Sequence, residues 1–183
     1  MAVLADALAG AREGGHPALL IGGEAGAGKS RLLAEFAATV PEARVLTGGC
    51  LLGGDELPFT PFATVLRGLV HELGADAVTE MMPGRGIPEL ARLMPELGEP
   101  DEGRDAGQAR ARLFEEMLTL LGRLAESKPV IVLVEDAHWA DESTRGLLAF
   151  LIGQQGELPG TLIVVTFRSG RRGWVFLPAR ADP

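Results

Sequence analysis

The chain has a single cysteine, Cys50, so no intrachain disulfide can close and no cysteine-based metal site can assemble. Cys50 reads as a small apolar residue at a strand end. Three histidines, with no clustering, offer no histidine metal site either. No apolar run reaches the length of about 18 residues that a membrane-spanning helix needs. The opening residues, MAVLADALAGAREGG, lack the basic stretch of a signal peptide. A reducing cytoplasm is the simplest compartment, and no membrane partner is expected. Positive charge is also scarce, with 17 Lys+Arg against 25 Asp+Glu and a net charge of -8. A broad basic face for gripping phosphate backbones is not expected, and with it no direct nucleic-acid binding. Arg168, Arg171 and Arg172 form the one dense basic group.

What is present suits one packed core. The 183 residues are 46% apolar, enough for a single sizeable domain and too few for several. Twenty-five glycines and twelve prolines, spread without a three-residue period, predict many turns and short elements. Periodicity predicts helices over Val3–Arg12, Arg31–Ala38, from Thr60 onward, and over Asp105–Ser127, where Leu113, Met117, Leu120, Leu121 and Leu124 form a stripe. Thr60 is the expected cap of its helix, with Pro61 in the first turn. A short helix is expected around Glu89–Met94, among the prolines of residues 83–104. Another helix carries Leu147, Leu148, Leu151 and Ile152, capped by Asp141 or Ser143. Strands are expected at Ala18–Ile21, Arg44–Thr47 (closed by Gly48 and Gly49), Val130–Val134 and Leu162–Thr166. The β-branched run at Val130 is the signature of a central parallel strand buried on both faces. Alternating strands and helices imply an α/β sandwich with a mostly parallel sheet.

The segment Gly23-Glu24-Ala25-Gly26-Ala27-Gly28-Lys29-Ser30 fits G-x-x-x-x-G-K-[ST] at each defined position, after a strand and before a helix. Glycines at 23, 26 and 28 permit a tight loop whose backbone N–H groups turn inward on an anion. Lys29 would neutralise β- and γ-phosphates, and the Ser30 hydroxyl would bind Mg²⁺. Only two lysines exist in the chain, and one fills this slot.

Val130–Val134 runs into Glu135 and Asp136, two carboxylates at a strand's carboxyl end. Glu135 is assigned to the metal side and Asp136 to the activation of water, as catalytic candidates. Beyond them lie His138, Trp139 and Asp141, read respectively as a packed or loop-bonded ring, a lid over the loop, and a helix cap. The fourth strand ends Thr166-Phe167-Arg168, where Thr166 or Arg168 is placed to sense a γ-phosphate, Arg168 being the catalytic candidate.

Taken together, GGEAGAGKSRLL, VIVLVEDAHWADEST and LIVVTFRS resemble the P-loop ATPase domain of large ATP-binding bacterial transcriptional regulators. These are signal-transduction ATPases that often carry a LuxR-type helix-turn-helix. The same domain is similar to the AAA and Orc1-like ATPases. The resemblance covers most of residues 18–169. It implies a P-loop NTPase three-layer sandwich with core strand order 5-1-4-3-2. It implies ATP and Mg²⁺ as ligands, phosphate and Mg²⁺ roles for Lys29 and Ser30, an acidic motif at Glu135 and Asp136, and a γ-phosphate-reading arginine at Arg168. The fifth strand is expected to be missing or incomplete, with RRGWVFLPARADP near the end. Residues 1–169 are thus expected to form the ATP-binding core and 170–183 an irregular truncated tail, as in a fragment of a longer architecture.

Three functions follow. The first is an Mg-ATP-binding switch domain with slow hydrolysis. The second is a small-molecule kinase, with Arg85, Arg92 and Arg104 as a thin basic lid. The third is a catalytically inactive interaction module. Without a fifth strand, the phosphate-loop strand would lie at a sheet edge and favour self-association.

Overall fold

A computed structural model describes residues 1–15, 18–52, 58–82, 87–101, 103 and 105–169. The run Val130–Glu135 forms β3, whose residues Val130 to Val134 are all buried. It can only sit between layers, and it does. β3 pairs in parallel with β2 (Arg44–Gly49) on one side and β4 (Thr161–Arg168) on the other. β4 pairs in parallel with β1 (Ala18–Gly23), giving the order β1-β4-β3-β2. This is the mostly parallel P-loop NTPase sheet expected, with β1 at an edge among the described residues.

Alternation along the strands sorts the core onto two faces. Val130, Val132, Val134, Ile163, Val165 and Leu46 join one cluster. It is completed by α3 (Thr60–Leu73), α5 (Ala106–Ser127) and α6 (Glu142–Gly153). Ile131, Leu133, Leu162 and Val164 face the other way. There they meet α1 (Ala2–Arg12) through Leu4, Leu8 and Ala11, and α2 (Lys29–Ala38) through Leu33 and Phe36. A short α4 (Ala75–Glu80) follows α3. Among the described residues, no helix is long and apolar enough to cross a membrane.

Several local expectations change. Thr60 does not cap α3: Phe59 takes that position in a left-handed conformation (φ 63°) and Thr60 is already helical. Gly48 and Gly49 do not close β2 but belong to it, paired with Val134 and Glu135. The helix expected at 89–94 shrinks to one 3₁₀ turn, Leu90–Arg92; Met94 is extended because the ring of Pro95 disfavours a helical residue before it, and a second turn, Pro95–Leu97, follows. Asp105 caps α5 as a fully formed helix start, accepting from Gly107 and Gln108 N–H. The expected tail at 170–183, with Arg171 and Arg172, lies outside the described residues.

The turn at 87–92 is pinned to α5 through a carboxylate. Buried Glu116 accepts the N–H groups of Glu89 (3.0 Å) and Leu90 (2.9 Å), with Arg112 at 3.4 Å. Burial still raises its pKa above the ordinary range, against those hydrogen bonds and Arg112. A carboxyl whose folded pKa is raised stabilises the fold below its unfolded pKa of about 4.3 and loses that contribution as pH rises through the folded value. Urea titrations of wild type and Glu116→Gln should therefore show wild type losing stability relative to the variant as pH rises from about 4 to 7. Parallel pH profiles would contradict this account.

Candidate functional site

The loop after β1 owes its shape to two residues without side chains. Gly26 (φ 78°) and Gly28 (φ 83°) are left-handed, a conformation that costs other residues steric strain. Gly28 sits at the N-cap of α2, and the Leu32 N–H returns to its carbonyl at 2.8 Å. Ala27 N–H bonds back to the Glu24 carbonyl at 3.3 Å, which closes the turn. Glu24, Ala25, Gly26, Ala27, Gly28 and Ser30 are solvent-exposed, with Gly23 and Lys29 half-buried. The Lys29 ammonium folds across the loop and donates to the carbonyls of Gly23 (2.9 Å) and Glu24 (3.0 Å). A helix start, an open loop and a local cation together fit an anion of phosphate size.

Parallel register brings the other candidates to the same edge of the sheet. Arg168 lies beside Gly23 in the β1–β4 ladder, and the Ser169 N–H donates to the Gly23 carbonyl at 3.2 Å. Gly22 is bare for a packing reason: a Cβ there would come 2.9 Å from the Phe167 ring and 3.2 Å from Ser169 Oγ. The loop's base and the end of β4 are therefore in direct contact. One strand over, Glu135 ends β3, half-buried, and its carbonyl accepts the Cys50 N–H at 2.9 Å. Asp136 follows in a left-handed turn (φ 52°), with its carboxylate 53% exposed.

The remaining candidates separate. Thr166 is buried and accepts the Asp136 N–H at 3.1 Å, so of the two residues placed to sense phosphate, Arg168 is the exposed one. His138 Nδ1 stands 3.8 Å from an Asp136 carboxylate oxygen, and its ring packs against Trp139 at 4.8 Å between centroids. Trp139 is half-buried and packs on the core. Asp141 caps α6, accepting from the Thr144 N–H at 2.9 Å and the Thr144 hydroxyl. Cys50 is buried, and its thiol is pushed up to about 12 by that burial and by the carboxylates of Asp141 and Asp136. It stays protonated and inert, as a packing residue should. A shallow cleft beside the acidic end is lined by Cys50, Leu51, Thr60, Pro61, Trp139, Ala140 and Asp141.

As for a metal, no three His, Cys, Asp or Glu side chains gather among the described residues. Mg²⁺ does not need them, since it is commonly held by one or two protein groups together with phosphate oxygens and water. Ser30 and Glu135 supply oxygen donors of the kind such a site uses.

A protein-family model described as AAA ATPase domain matches residues 1–165. An uncharacterised protein of Rhizobium meliloti (strain 1021) is 27% identical over 172 residues, covering 86% of this chain and 17% of that protein. The chain thus spans about a sixth of that relative's length. Among solved structures it is similar to Drosophila ORC bound to DNA (13% identity, TM-score 0.47, 93% of this chain and 76% of that one). It is also similar to Drosophila ORC bound to GC-rich DNA and Cdc6 (11%, TM-score 0.43, 91% and 50%).

Two expectations are corrected. The family that matches is the AAA ATPase domain, so the narrower assignment to LuxR-type regulators does not stand. The exclusion of direct nucleic-acid binding does not stand either. Its basis was a net charge of -8, which sums over the whole surface and excludes no local contact. With residues 1–165 matched, a span that takes in the six α-helices and, but for the end of β4, the sheet among the described residues, the chain belongs to the AAA ATPase domain family.

Proposed function

We propose that this chain binds Mg-ATP at the β1–α2 loop and hydrolyses it slowly, as a switch domain of a longer protein. The observation that carries the reading is the pairing of an open, left-handed glycine loop with a lysine already folded over it. Lys29 Nζ rests on two loop carbonyls and can exchange them for phosphate oxygens without changing its place. In this reading residues 1–169 form the ATP-binding core.

Each residue has a separate task. Backbone N–H groups from Gly26 to Ser30 hold the phosphates, and Lys29 offsets their charge. Ser30 and Glu135 would hold Mg²⁺, which when bound spreads the negative charge of the β- and γ-phosphates. Asp136 orients a water for in-line attack. The water oxygen bonds to the γ-phosphorus as the bond to the β,γ-bridging oxygen breaks. The electron pair leaves with ADP, and the water's proton passes to the Asp136 carboxylate and then to solvent. Arg168, exposed and beside Gly23, would pair with the γ-phosphate and report its loss through β4.

The small-molecule kinase reading loses support at its lid. Arg92 is engaged with the buried Glu89 carboxylate at 2.6 Å, and Arg85 and Arg104 lie outside the described residues.

Separate replacement of the two acids tests the assignment. Asp136→Asn should lower turnover about 100-fold or more and leave Mg-ATP binding near wild type, the loss expected of a general base. Glu135→Gln should weaken binding in Mg²⁺ and leave Mg²⁺-free binding unchanged. If neither substitution moves binding or turnover, the acidic pair is not part of the site.

A further inference from the structure

Among the described residues, Phe59 and Asp136 are the two non-glycine positions with positive φ. A left-handed non-glycine residue persists where its surroundings hold it, and such positions gather at functional sites. At Asp136 the holding contact comes from another strand. Its N–H donates to Thr166 Oγ1 at 3.1 Å, across thirty residues of sequence. Thr166 is 1% exposed. It follows Val165, which pairs with Val134, so it stands at the point where β3 leaves the ladder. On the other side of the turn, the Trp139 N–H bonds to the Asp136 carbonyl at 2.9 Å. The Asp136 peptide is thus gripped at both ends, and its carboxylate is left more than half exposed at the edge that carries the phosphate loop.

We propose that Thr166 is a positioning residue for Asp136. Its hydroxyl oxygen fixes the left-handed turn and so aims the Asp136 carboxylate at the nucleotide edge of the sheet. This gives Thr166 a role through another residue's backbone, in place of contact with phosphate. It also ties the acidic strand end to β4, whose Arg168 lies two residues on and beside Gly23. The functional half of this inference rests on the proposed role of Asp136 in hydrolysis. The geometric half does not.

Two substitutions separate the halves. Thr166→Val keeps the side chain's shape and removes the acceptor; Thr166→Ser keeps the acceptor. In the free protein, exchange of the Asp136 amide proton, followed by NMR, should quicken about tenfold in Thr166→Val, the equivalent of one lost hydrogen bond, and stay near wild type in Thr166→Ser. With Mg-ATP, Thr166→Val should lower kcat about tenfold at unchanged KM, on the same energetic scale. Thr166→Ser should restore it, and Thr166→Val should add nothing in an Asp136→Asn background. Equal amide protection in all three proteins would overturn the inference. So would a loss of kcat in Thr166→Val that persists undiminished in the Asp136→Asn background. A wild type without turnover would end the hydrolysis reading, and the amide measurement would still decide whether Thr166 holds Asp136.

Discussion

Replacing Gly48 with alanine should destabilise the fold by about 3 kcal/mol or more, the upper range for forcing atoms into a packed interior. Gly48 lies in β2, one residue before the partner of Glu135. The first turn of α3 presses on it so closely that a Cβ would sit 2.1 Å from the Pro61 carbonyl oxygen and 2.7 Å from its carbon. Both are backbone atoms, so no rotamer change relieves the clash. α3 would have to lift, and with it Phe62, Val65, Leu66 and Leu69, all buried at 3% exposure or less. The neighbouring Gly49 is the internal control. Nothing lies within 4 Å of the Cβ it would carry, and its φ is not positive. Gly49→Ala should stay within about 1 kcal/mol of wild type, the span of strand preferences. Urea denaturation of the two variants gives the comparison, and equal small costs would mean that α3 does not sit against β2 as described.

The elements that the residues announce are those with a long, one-sided apolar pattern. β3 and β4 are nearly continuous β-branched runs, and α5 carries a stripe of five apolar residues over three turns. The phosphate loop is legible because its chemistry restricts residue types at fixed spacing. Elements held by neighbours were less so. α4 has six residues and one buried side chain, Val78, so it has no stripe to read. Gly48 and Gly49 look like a stop because bare residues weaken strands, yet here one is bare to admit Pro61. Thr60 is a good capping residue beside a better-placed Phe59, and backbone geometry decided between them. The order β1-β4-β3-β2 came from resemblance; periodicity does not order strands. Of the site, the loop and the two acids stand out in the string of residues. The Thr166 contact with Asp136 does not, since a hydrogen bond between the ends of two strands has no spacing to betray it.

Lys29→Ala should remove nearly all stabilisation by Mg-ATP. Lys29 is the cation folded over the loop, and Lys128, the other lysine, lies at the opposite end of β3. At a ligand concentration of about 100 times Kd, binding adds about 2.7 kcal/mol to the stability of the protein that binds. For a domain of this size that corresponds to a rise in Tm of about 5–10 °C. The variant also loses the two hydrogen bonds to Gly23 and Glu24, so its ligand-free Tm sets its own baseline and the shift is what matters. The most direct test of nucleotide binding at this loop is therefore a melting titration with Mg-ATP on both proteins. The expected result is a concentration-dependent rise in wild type and a rise below about 1 °C in Lys29→Ala. Equal rises in both proteins, or none in either, would contradict it.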